Sequence, residues 1–208
     1  MMALTDVAML PALNVMHRNR RHFELFIGVF HLIISIIFNI TGALDTELFL
    51  DELEWHFISD VLSITYGLMI SIHLMGIQSE EINTILRYVA FGASWILKTR
   101  DQWDSIFYES FLILVFVLGV LYRHFIIPKD GKVPVHMGHA TKMAISLAGF
   151  GLAAGVDRLE LFEDVFHITY GVFHVLGGLA VYHAWLMIPC RDTKKNDDVI
   201  PTYGGGYR

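Results

Sequence analysis

The stretch FEDVFHITYGVFHVLGGLAVYHAWLMIP, residues 162–189, decides how the rest of the chain is read. It is long enough and apolar enough to cross a bilayer, for which about 20 apolar residues suffice. Yet it sets His167, Tyr170, His174 and His183 among aliphatic and aromatic neighbours. Ionisable groups inside a membrane are costly and turn toward a bundle interior or cavity, so the segment reads as one wall of a polar site.

Composition points the same way. Of 208 residues, 54% are hydrophobic and 17% charged, with mean hydropathy +0.51, a balance that predicts a polytopic helical membrane protein. The formal charge of −6 arises mostly in loops, and there is no basic patch of the kind that nucleic acid requires. The single cysteine, Cys190, excludes an intramolecular disulfide and a thiolate metal cluster. The first residues carry Asp6 and no basic stretch, so no cleavable leader is expected.

Outward from that stretch, six further apolar segments are legible at about residues 2–16, 23–43, 57–77, 82–97, 106–127 and 143–156. The first is short and contains Pro11. The sixth carries a Gly151-x-x-x-Gly155 spacing, which permits close helix packing or a homodimer contact. Seven spans put the chain ends on opposite faces. With the carboxyl end cytoplasmic, only Lys98, Arg100 and Arg158 of the 15 basic residues lie outside, which favours the amino end out. The expected fold is an all-α, seven-transmembrane-helix bundle over residues 1–190 with a flexible cytoplasmic tail at 191–208. It would be an integral multi-pass protein of the plasma membrane or an endomembrane, with lipids as partners.

This topology gathers polar side chains at one depth. Ser35 and Asn39 stand one turn apart on a face of the second helix, Tyr170 and His174 one turn apart on the seventh, and Asp60 near the start of the third. Facing pairs of this kind can build a metal or hydrolytic site in a bundle core. A network of Asp60, Tyr170 and His174 that only fixes helix packing uses the same residues, and Ser35 would then bond its own backbone. A bis-His haem held by His73 and His183 is a remote alternative. Neither the broken helices of a transporter nor a channel filter is visible.

These residues carry a resemblance. RRHFE before the second helix, Ser35 within it, SDVL in the third, LRYVAFG in the fourth, RDQW after it and TYGVFH in the seventh follow the order seen in the myomaker and transmembrane-protein-8 family. That family is a branch of the CREST superfamily, which also holds alkaline ceramidases and adiponectin receptors. The resemblance implies a seven-helix bundle in which three His hold zinc while Ser and Asp assist. Here Ser35, Asp60 and His174 match the pattern, whereas Asn39 and Tyr170 stand where two His ligands are expected. His174 and Asp60 alone would hold zinc weakly. The reading is therefore a degenerate hydrolase-like cavity with a structural, lipid-binding or membrane-surface role, leaning away from an enzyme. The alternative is a zinc-dependent lipid hydrolase with an altered ligand set. Cys190, at the end of the last helix beside Arg191, is a candidate S-palmitoylation site.

Overall fold

The computed structural model describes residues 6–44, 46–100, 106–126, 136–158 and 166–190; side chains at 106–110, 112–113, 154–158 and 166–170 lie outside the description. The described chain begins with a 3-10 turn, Asp6–Met9, and continues into α1, Leu10–Arg18. Pro11 sits in the first turn of α1, where its missing N–H costs no helical hydrogen bond. Then come α2 (His22–Leu44), α3 (Glu52–Met75), α4 (Glu80–Arg100), α5 (Ile106–Leu121), α6 (Ala140–Arg158) and α7 (Phe166–Met187).

Local chemistry sets the ends of α3. Asp51 caps it through a 2.7 Å hydrogen bond from the Glu54 N–H, and Glu54 returns a 3.1 Å bond from the Asp51 N–H. At the other end Gly76 adopts the left-handed conformation, φ 69°, that stops a helix. The acidic loop before α3 thus supplies a start signal.

The elements pack as one all-α domain. α3 lies at the centre, against α2, α4, α5 and α7, while α6 pairs with α7 and both α1 and the 3-10 turn lie on α7 and α2. The main core joins Leu13 and Met16 of α1, Ile27 and Ile34 of α2, Leu62, Tyr66 and Met69 of α3 and Trp185 of α7. Close approach depends on two glycines. A Cβ on Gly28 would lie 2.6 Å from Leu13 Cδ2, and one on Gly178 would lie 2.7 Å from the Ala8 carbonyl oxygen.

The seven α-helices fall on the seven apolar segments, but the seven-span membrane bundle is corrected. Among the described residues only α2 and α3 are helices with the length and hydropathy of a membrane crossing, and α3 has 67% of its apolar window buried inside the domain. The nine residues of α1 reach about 14 Å, half of a hydrocarbon core. α4 continues past the apolar segment at 82–97 to Arg100 and buries Arg87 and Lys98 in ion pairs. Long-range packing and buried ionic contacts replace the expected lipid-embedded bundle. The amino-outside orientation, the plasma-membrane or endomembrane location and the membrane-lipid partners rested on those crossings and fall with them. Not all apolar side chains are inside: Phe26, Phe30 and Ile33 of α2 and Ile85, Tyr88 and Ile96 of α4 are exposed.

The Gly151-x-x-x-Gly155 face is corrected too. A Cβ at Gly151 would meet nothing within 4 Å, so the close helix contacts inside the domain run, among the described residues, through other glycines. The tail at 191–208 lies outside the described residues.

Candidate functional site

Ionic contacts hold the helices together at both ends of α2. Near its start, Glu24 is buried and meets Nε2 of His73 (α3) at 2.6 Å and Nη1 of Arg87 (α4) at 2.8 Å. Arg87 also donates to Glu80 at 2.6 Å, to Thr84 at 2.9 Å and to the Asn83 carbonyl at 3.1 Å. Burial alone would raise the Glu24 pKa, but the His73 hydrogen bond and the His73 and Arg87 charges reverse that and hold it at about 2. Alongside, the Trp185 indole donates to the Tyr66 hydroxyl at 2.9 Å. These groups clamp α2, α3, α4 and α7.

The far end of α2 is different. Fifteen residues separate Glu24 from Asn39, roughly 22 Å along the axis. There Asp6, buried in the 3-10 turn, accepts a 2.7 Å bond from the Asn39 amide on Oδ2 and pairs with Nδ1 of His174 (α7) at 2.9 Å on Oδ1. His174 is 20% exposed and so gives this cluster its opening to solvent. His31, two turns before Asn39 on the same face, feels both Asp6 and His174 electrostatically. Its Nδ1 is sealed from solvent with no hydrogen-bond partner among the described residues. Burial lowers its pKa to about 4, with Asp6 opposing and His174 assisting, so the ring is neutral at pH 7.

Ser35 lies between His31 and Asn39 on that face and is buried. Elsewhere helical hydroxyls turn back on their own helix: Thr65 to Val61, Ser71 to Gly67, and Ser94 to Ala90. Ser35 makes no such bond among the described residues, against the expectation that it would.

The residues expected to form one site are thus divided. Ser35, Asn39 and His174 come to the Asp6 end of α2. Asp60, half-buried on α3, pairs instead with the buried Lys98 of α4 at 2.5 Å and with His56 at 3.6 Å. The Tyr170 and His167 side chains lie outside the described residues. The haem pair is not assembled either, because His73 is held by Glu24 and His183 meets His139. Cys190 is exposed just beyond α7.

No group of three or more His, Cys, Asp or Glu able to hold a metal ion is found among the described residues. Where the zinc pattern would place ligands, Asp6 engages His174 and Asn39, so the donors satisfy one another. This corrects the zinc-dependent lipid hydrolase and the degenerate zinc cavity alike.

Residues 1–175 match a family model described as a protein of unknown function, DUF3522. The chain belongs to the DUF3522 family. With two long apolar helices among the described residues in place of seven crossings, and with the helices packed on one another, the CREST and myomaker resemblance is corrected: the fold is not that of a seven-span receptor. No curated protein matches this DUF3522 chain.

Two residues of the cluster escaped the sequence. Asp6 weighed only against a leader peptide, and its partner His174 is 168 positions away, so no local pattern joins them. His31 stands in an i, i+4, i+8 relation to Ser35 and Asn39, but no spacing in the sequence ties it to Asp6 or His174. Gly178, one turn after His174, admits the backbone of Ala8 and so brings Asp6 onto α7.

Proposed function

We propose that this domain is a metal-independent hydrolase of the serine type, with Ser35 as nucleophile, His174 as general base and Asp6 as the carboxylate that orients it. The observation that carries the reading is the Asp6 Oδ1 to His174 Nδ1 pair at 2.9 Å. A carboxylate on Nδ1 selects the tautomer protonated there and leaves Nε2 as the basic nitrogen. The amide of Asn39 holds the other oxygen of Asp6, so the carboxylate is fixed from two helices. Ser35 supports the reading because its hydroxyl is not committed to its own helix among the described residues.

In this reading the Ser35 hydroxyl attacks an ester carbonyl while its proton moves to His174 Nε2. The imidazolium, stabilised by Asp6, returns the proton to the leaving alcohol. Water then repeats the exchange and releases the acid and the free serine. Neutral His31 adds no second positive charge to compete for Asp6. Asp60 has no part in this chemistry; with Lys98 it ties α3 to α4.

The test is intact-mass analysis of the purified chain after reaction with a fluorophosphonate, which traps activated serines. One adduct per chain is expected, mapping to Ser35, absent in Ser35→Ala and formed roughly 10³-fold more slowly in His174→Ala. No adduct, or an adduct that persists in Ser35→Ala, overturns the reading.

A further inference from the structure

A second histidine pair takes no part in this chemistry. His139 ends the 3-10 turn Met137–His139 that leads into α6, and His183 lies in the carboxyl-terminal half of α7. Their rings stack with an interplanar angle of 21° and a centroid separation of 5.5 Å. The two Nδ1 atoms face each other at 3.3 Å. Two lone-pair-bearing nitrogens cannot bond directly, so one imidazole must donate its Nδ1–H to the other.

The same separation suits a metal. Imidazole nitrogens bound tetrahedrally to zinc at about 2.0–2.1 Å stand ~3.3 Å apart. The pair therefore holds the bite of two zinc ligands before any ion arrives. Its supports are fixed: the His136 N–H donates to the Met187 carbonyl at 2.9 Å and pins the turn against the end of α7. Metal ligation needs neutral imidazole. Burial, with the charges of His139 and Lys142, lowers the His183 pKa, a shift toward the neutral form. Both residues are partly exposed, so an ion can enter and water can complete its shell.

We propose that His139 and His183 form a two-ligand site for a divalent transition cation of the zinc class, which fastens the turn before α6 to α7. The site is independent of the Ser35 chemistry and lies on different residues from the zinc pattern considered above. With two protein ligands it exchanges its ion readily, as a regulatory or sensing site would.

Isothermal titration of the purified full chain with zinc chloride at neutral pH tests this. One ion per chain is expected, with affinity falling on the order of tenfold or more in His139→Ala and in His183→Ala. His139→Gln and His183→Gln, which keep a polar side chain, serve if an alanine variant fails to fold. Cobalt(II) should give the absorption of a tetrahedral site in the parent chain alone. Absence of binding by the parent chain, or binding that survives unchanged in both His183 variants, overturns the proposal.

Discussion

The two ends of α2 bury charge in opposite ways. At the Glu24 end a carboxylate meets, through Oε1, a guanidinium that cannot lose its proton and the His73 ring, and groups on three helices hold the pair, while Oε2 is buried without a hydrogen-bond partner among the described residues. At the Asp6 end the carboxylate meets one imidazole, one amide and a second, neutral imidazole close by. The first arrangement is a clamp. The second holds a partly exposed imidazole on a carboxylate and, among the described residues, a serine hydroxyl not bonded to its own helix, and that difference is why the site is placed there.

The largest expected effect falls on the clamp. Arg87→Ala strands a buried carboxylate and should cost roughly 3–5 kcal/mol in a chemical denaturation series. A loss below about 1 kcal/mol would mean that the Glu24 end is no more a clamp than the other.

Acid should separate the two ends. His31 has its pKa depressed from 6.5 to about 4 in the fold, so the unfolded chain binds its proton first. Its contribution is complete above pH 6.5 and is lost as pH falls toward 4, on the order of 3 kcal/mol. Glu24, depressed from 4.5 to about 2, loses its contribution only between those lower values. Melting temperature against pH should therefore fall in two steps, and His31→Gln should flatten the upper one. An upper step unchanged in His31→Gln would assign it elsewhere, with His73, whose pKa burial also lowers, the first candidate.

How much of this the sequence discloses follows from the range of each interaction. The helices were legible because each rests on local apolar runs and turn residues, and all seven lie where those runs are. Their environment was not. A run such as residues 57–77 reads alike whether lipid or neighbouring helices surround it, and α3 is covered chiefly by α2, α4, α5 and α7. Ser35, Asn39 and His174 were marked by helical spacing, but the carboxylate that organises them comes from the first described turn, Asp6–Met9. Lys98 was read as a loop residue because charge usually marks an exit from an apolar segment. Its burial depends on Asp60, 38 positions earlier.

Smaller effects sharpen the contrast. Gly178→Ala should cost about 1–3 kcal/mol, since the new Cβ meets the backbone of Ala8 rather than a flexible side chain. It should also slow fluorophosphonate labelling by displacing Asp6; a stability loss with unchanged labelling would uncouple the 3-10 turn from the site. Ser35→Ala should change stability by less than about 1 kcal/mol while abolishing labelling. A larger loss of stability would show that its hydroxyl serves packing.

The central claim is that Asp6 fixes His174, and the most direct measurement is the ¹⁵N spectrum of the His174 ring in the folded chain. The proton should reside on Nδ1, shifted downfield by its hydrogen bond, and that signal should disappear in Asp6→Asn while the helical circular dichroism is retained. A His174 ring protonated only on Nε2, or one indifferent to Asp6→Asn, would contradict the account.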